Sequence, residues 1–174
     1  MNELMKYVRT VPDFPKKGIM FIDTTAFIEN PVPFKICLDA MQKFIQPLNP
    51  DKIVGIEARG FFFGSALADR LNIGFVPARK PGKLPAKVIS EEYELEYGTD
   101  SLQMHADAVK PGEKVVIVDD LIATGGTIQA VCRLIKKCGG EVAGISTVVE
   151  LSFLPWREKL KDFNVNYLMT FDSE

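Results

Sequence analysis

Histidine is almost missing from this 174-residue chain, and cysteine is scarce. A single histidine, His105, excludes the HExxH pair of a metalloprotease and the usual zinc clusters. Cys37, Cys132 and Cys138 show neither CxxC spacing nor an even count, so they read as reduced, structural thiols. No long run of Lys or Arg occurs, and 21 basic against 23 acidic residues give a net charge of −2. A nucleic-acid partner, which calls for a basic face, is therefore not expected. No segment approaches the ~20 apolar residues that cross a bilayer, so no membrane partner is expected either. The opening MNELMKYVRTV lacks the apolar stretch of a signal peptide, which makes the cytoplasm the expected compartment. Neither GxxxxGK[ST] nor GxGxxG is present, which disfavours a P-loop hydrolase and a dinucleotide enzyme.

What remains is an ordinary globular composition, 47% hydrophobic and 25% charged, enough for one domain over 1–174. Leu4, Tyr7, Val8 and Val11 recur at helical spacing and predict a short opening helix. Phe34, Leu38, Met41, Ile45 and Leu48 predict a one-faced helix stopped by Pro47 and Pro50. Thereafter short apolar strands alternate with helices. Strands are expected at 53–56, 74–77, 115–118, 142–149 and 166–171, with helices from Gly60 to Leu71 and, after Gly125-Gly126, to about Cys138. Continuous apolar strands of this kind belong to an α/β fold with a central, mainly parallel sheet flanked by helices. From Arg79 to Val109 no clean period survives, and a stretch that long reads as a functional lid or mobile arm.

The most informative segment is VVIVDDLIATGGT, Val115 to Thr127. A buried parallel strand ends at its carboxyl edge, where open α/β sheets bind ligands. Asp119 and Asp120 stand there as acceptors suited to sugar hydroxyls. Ala123, Thr124, Gly125, Gly126 and Thr127 then turn the chain into a helix, whose small residues, hydroxyls and N-terminal partial charge suit a phosphate monoester. On a smaller scale Glu57-Ala58-Arg59-Gly60 repeats the strand-to-helix turn. Arg59 there suits a diphosphate, or caps a surface turn.

VVIVDDLIATGGT resembles the PRPP-binding signature of the type I phosphoribosyltransferases. That resemblance implies their fold, a small N-terminal hood at about 12–30 and a flexible lid at about 84–104. It implies the 5′-phosphate of PRPP on Ala123 to Thr127, the ribose on Asp119 and Asp120, and pyrophosphate on Ala58, Arg59, Gly60, Arg79 and Lys83. A cis peptide at Glu57–Ala58, Mg²⁺ held mainly by PRPP and water, and a homodimer are further implications.

Glu94-Leu95-Glu96-Tyr97-Gly98 resembles the lid of the adenine-specific members, as the chain does from about Phe14 onward. On the residues alone, Glu91, Glu92, Glu94 and Glu96 read as an acidic, solvated strand. The resemblance instead makes Glu96 the acid that protonates the base, with Tyr97 beside it. It puts Met20, Phe21 and Ile22 of the hood, together with Leu151, around adenine. The implied reaction is adenine and PRPP giving AMP and pyrophosphate, a step of purine salvage. Phe21-Ile22-Asp23 departs from the family's Phe-Arg-Asp, so any work of that arginine is lost or moved. A guanine or hypoxanthine enzyme, and a non-catalytic PRPP-sensing regulator, are the rival readings. The first would not explain LEYG, and the second would need a basic nucleic-acid-binding segment.

Overall fold

Period-two burial runs through the strands of the central sheet and divides the core in two. Val54, Ile56, Val115, Ile117 and Ile145 point to one face, and Ile53, Val116, Val118 and Val148 to the other. The computed structural model describes residues 3–14, 16–94 and 98–172.

In chain order the elements begin with strand β1, Arg9–Val11, and strand β2, Phe21–Asp23, which pair antiparallel. Helices α1, Thr25–Ile28, and α2, Pro31–Ile45, follow. The Asn30 side chain caps α2 by accepting from the Val32 N–H at 3.0 Å, and Pro31 occupies its first turn. Strand β3, Lys52–Ile56, helix α3, Gly60–Leu71, and strand β4, Gly74–Ala78, make the first parallel crossover. Strands β5, Val88–Glu94, and β6, Thr99–His105, form an antiparallel ribbon. Strand β7, Lys114–Val118, the two-residue β8, Leu121–Ile122, and helix α4, Gly126–Lys137, precede the long strand β9, Glu141–Leu151. A short helix α5, Trp156–Lys159, and strand β10, Val165–Phe171, complete the chain.

The central sheet runs β10-β9-β7-β3-β4, all parallel, with β8 added beside β9. Helices α2 and α3 cover one face, while α4 and the β5–β6 ribbon cover the other. Pro77 is tolerated because β4 is an edge strand, paired only to β3. Gly55 is required where it stands, since an added methyl would meet the Phe75 ring at 2.6 Å.

Two expectations need correction. The opening helix is a single 3-10 turn, Leu4–Tyr7, after which the chain extends into β1. A helix this short is costly to nucleate, and β2 offers the β-branched Thr10 and Val11 a ladder. The region without a period is in large part ordered ribbon, bridged to the central sheet where Arg79 pairs with Gln103. Tyr93, Leu102 and Met104 are its buried side chains. The acidic β5 obscured the alternation, because Glu91 is neutralised from another element, by Arg133 at 2.8 Å and Lys137 at 2.5 Å on α4.

Those cations, Lys137 foremost, hold the Glu91 carboxyl below its ordinary value, so its contribution is present above that value and lost as pH falls through the lowered one. Glu91→Gln should raise amide exchange in β5 and β6 by about three- to fivefold, leaving β3 and β7 unchanged. Equal exchange in the two proteins would show that the ion pairs do not fasten the ribbon.

Candidate active site

Because β3, β4 and β7 are parallel, the loops that follow them open on one edge of the sheet. The loop after β3 carries a cis peptide at Glu57–Ala58 and enters α3 at Gly60. A methyl added at Gly60 would lie 2.8 Å from the Val118 carbonyl oxygen and 2.9 Å from Asp119 Oδ1. Glycine there lets the first turn of α3 reach the end of β7.

At that end both carboxylates are withdrawn from water, Asp119 at 9% and Asp120 at 4% exposure. Asp119 Oδ1 accepts from the Asp120 N–H at 2.9 Å. Asp120 Oδ2 accepts from the buried Thr24 hydroxyl and from Arg59 Nε, each at 2.5 Å. The Arg59 guanidinium also stands 5.8 Å from the centre of the Phe21 ring. The loop after β3, the end of β7 and the N-terminal segment therefore meet at Asp120.

The Glu57 carboxylate receives Arg79 at 2.9 and 3.2 Å and the Lys80 N–H at 2.8 Å. The Lys80 ammonium pairs with Asp100 and donates to the Tyr93 hydroxyl at 2.9 Å. A cleft of about 240 Å³ lies among them, bordered by Glu57, Ala58, Arg59, Lys80, Asp119, Asp120 and Thr127. The turn into α4 pivots at Gly125, in the left-handed conformation with φ 76°, which a β-carbon would disfavour. A second cavity, about 390 Å³, extends from Gly126 between Tyr93, Glu94 and Thr99 of the ribbon and Gln129 and Arg133 of α4.

A phosphoribosyl transferase domain model matches residues 24–165. The adenine phosphoribosyltransferase of Acetivibrio thermocellus is 54% identical over 170 residues, covering 97% of this chain and 99% of that one. The crystal structure of adenine phosphoribosyltransferase from Thermoanaerobacter pseudethanolicus superposes with a TM-score of 0.94 at 50% identity, covering 98% of this chain and 99% of that one. The Saccharomyces cerevisiae enzyme, solved with adenine and D-2,5-dideoxy-2,5-imino-altritol 1,6-bisphosphate, superposes at 0.90 with 39% identity and 97% coverage of each chain. The chain belongs to the adenine phosphoribosyltransferases.

Within the frame of that family, the expected site residues fall into groups. Ala58, Arg59, Asp119, Asp120 and Thr127 share the cleft, with Gly60 against its wall and Ala123 to Gly126 leading round to Thr127. Arg79 is spoken for by Glu57, and Lys83 is exposed, offering its carbonyl to Arg79 at 3.3 Å; neither borders the cleft. Met20 is exposed, Phe21 packs edge-on to Phe14, and the Ile22 side chain is buried in the core. Partly buried Leu151, at the end of β9, packs on the same core cluster as Ile22. Glu96 and Tyr97 lie outside the described residues.

Thr24, Tyr93 and Asp100 were not legible as site residues. Lys80, which with Arg79 and Lys83 reads in sequence either as a cation of the lid or as solvated surface, lines the cleft. Thr24 reaches Asp120 across 96 positions, a pairing that spacing cannot reveal.

Burial, followed by the Asp120 charge, pushes the Asp119 carboxyl well above its ordinary value. Burial alone would lower the Arg59 guanidinium, yet Asp120, Asp119 and Asp23 together hold it above its ordinary value. The raised Asp119 favours folding in its protonated form; that contribution is full below the ordinary carboxylate pKa of ~4 and is lost as pH rises through the elevated one. Asp119→Asn should therefore unfold at a higher temperature than the ligand-free parent at pH 7 to 8, by about 2–4 °C per kcal/mol relieved. The gap should close toward pH 4. A gap that is absent, reversed or independent of pH would contradict this account of Asp119.

Proposed function

We propose that this chain transfers the phosphoribosyl group of PRPP to N9 of adenine, giving AMP and pyrophosphate in purine salvage. The observation that carries the reading is the cleft where Asp119 and Asp120 face Arg59, directly before the glycine turn into α4. The 5′-phosphate rests on Ala123, Thr124, Gly125, Gly126 and Thr127, and the ribose hydroxyls bond to Asp119 and Asp120. Pyrophosphate lies along Ala58, Arg59 and Gly60. Lys80 is the nearer supplement of charge, and Arg79 and Lys83 stand behind it. Adenine in the yeast relative supports a base beside the sugar site. Met20, Phe21, Ile22 and Leu151 are assigned to that base, with contacts from the main chain at Ile22, since its side chain is turned into the core.

Among the described residues no three His, Cys, Asp or Glu are grouped to hold a metal. The carboxylates bordering the cleft fit a hard cation held chiefly by diphosphate and water, and Mg²⁺ is the cation we assign. When bound, it neutralises charge accumulating on the departing pyrophosphate.

Arg59 moves its guanidinium from Asp120 toward the diphosphate as sugar hydroxyls take its place at the carboxylate. The bond from C1′ to the pyrophosphate oxygen breaks ahead of full attack, and adenine N9 adds on the opposite face. The developing charge on C1′ is met by the Asp120 carboxylate, already held in place by Thr24. Adenine loses one ring proton as N9 bonds to C1′; Glu96, in the segment expected to close over the base, takes it from N7, and in the reverse reaction is the acid that returns it. Closure of the turn that joins β5 and β6 excludes water that would otherwise hydrolyse PRPP.

Three free thiols, two of them buried, suit a reducing cytoplasm, where we place the protein. We assign it a homodimeric state, for which exposed Phe62 on the first turn of α3 supplies apolar surface.

AMP formation should be measured with PRPP, Mg²⁺ and adenine, hypoxanthine or guanine, for the parent and for Glu96→Gln. Turnover is expected with adenine alone, and the substitution should lower kcat by about 10²–10⁴-fold, the range for loss of general acid–base catalysis. Turnover of a 6-oxo purine would overturn the base assignment. An unchanged kcat would remove Glu96 from the chemistry.

A further inference from the structure

The phosphate turn needs something rigid beneath it, and its own residues are small. Gly125 rests on Trp156: a methyl added at Gly125 would lie 3.2 Å from Trp156 Cβ and 3.4 Å from its Cα. Trp156 opens α5, a four-residue helix too short to hold its own position. It is nevertheless 4% exposed and fixed from several sides. Its indole N–H donates to Glu150 Oε2 at 3.0 Å. The Arg157 guanidinium covers its ring at 4.5 Å, and Tyr167 meets it edge-on at 6.0 Å.

Glu150 is the centre of this knot. It is 1% exposed, a position where a carboxylate stands only if its oxygens are satisfied. Arg157 Nη2 donates to both oxygens, at 2.9 and 2.7 Å, and the Thr170 hydroxyl donates to Oε1 at 2.9 Å. In register, Glu150 is paired with Ile122, the residue before Ala123. The chain thus enters the phosphate turn beside Glu150 and pivots at Gly125 on the side chain that Glu150 holds. The next residue of β9, Leu151, is the one assigned to the base.

We propose that Glu150 and Trp156 are positioning residues for the 5′-phosphate of PRPP and AMP, acting through Gly125. The inference rests on the reading of Ala123 to Thr127 as the phosphate cradle. Neither side chain touches ligand. Trp156 sets the height of the turn, and Glu150 fixes Trp156 through a charge-assisted hydrogen bond that a phenyl ring cannot make. Displacement of the turn weakens binding of a 5′-phosphate and leaves a ligand that occupies only the pyrophosphate side unaffected.

The test compares AMP and inorganic pyrophosphate by calorimetric titration into the parent, Trp156→Phe, Trp156→Ala, Glu150→Gln and Thr127→Val, with KM for PRPP and kcat measured alongside. Trp156→Phe keeps most of the packing, so it remains informative if Trp156→Ala or Glu150→Gln fails to fold. The expected result is about three- to tenfold weaker AMP binding and a matching rise in KM for PRPP in Trp156→Phe and Glu150→Gln, the worth of a lost hydrogen bond. A larger loss is expected in Trp156→Ala, with pyrophosphate affinity and kcat close to the parent's in the Trp156 and Glu150 variants. Equal losses for AMP and pyrophosphate, or no loss, would overturn the proposal. If Thr127→Val weakens AMP and the Trp156 and Glu150 variants do not, the positioning role alone fails. If Thr127→Val also leaves AMP binding unchanged, the cradle reading fails with it.

Discussion

One buried carboxylate, Asp120, is the point to which the site refers. Its side chain takes the Thr24 hydroxyl from the N-terminal segment and the Arg59 guanidinium from the loop after β3. Its carbonyl accepts the Val148 and Val149 N–H groups of β9 at 3.1 and 3.0 Å. A charge at this depth is tolerated only when so partnered. The same contacts align elements far apart in sequence, which the parallel sheet brings to one edge.

From that constraint follows a division of labour. The central sheet fixes the carboxylates, Gly60 admits α3 to their side, and the left-handed Gly125 turns the chain into α4. The β5–β6 ribbon is tied to α4 through Glu91 and to the cleft through Lys80 with Asp100. It is therefore joined both to the helix whose start is assigned to the 5′-phosphate and to the lysine beside the assigned pyrophosphate. The cations in and beside the cleft are paired with carboxylates, Arg59 with Asp120, Lys80 with Asp100 and, off the cleft, Arg79 with Glu57. The pyrophosphate proposed to bind here would exchange partners within this set of charges.

Much of this was legible in the sequence where local rules dominate. The run Val115 to Val118, its two aspartates and the glycine turn announced a buried strand, a carboxyl edge and a helix start. The helix Gly60–Leu71 has the bounds that its spacing and its neighbours implied. Legibility ended where a residue's partner lies on another element. The acidic β5 reads as solvated until Arg133 and Lys137 are brought beside it. The helical spacing of Leu4 to Val11 gives way to strand because β2 supplies a ladder. Glu150 reads as one polar residue in an apolar strand, and its role is visible only once Trp156, Arg157 and Thr170 surround it.

The most direct test of the central claim is the affinity for PRPP of the parent, Asp120→Asn and Thr24→Val, titrated calorimetrically in the presence of Mg²⁺. Asp120 as the shared anchor predicts more than tenfold weaker binding for Asp120→Asn, a loss above ~1.4 kcal/mol. It also predicts a smaller but measurable loss for Thr24→Val, whose hydroxyl bonds to Asp120 and is assigned no contact with ligand. PRPP affinities equal to the parent's in both variants would contradict the claim.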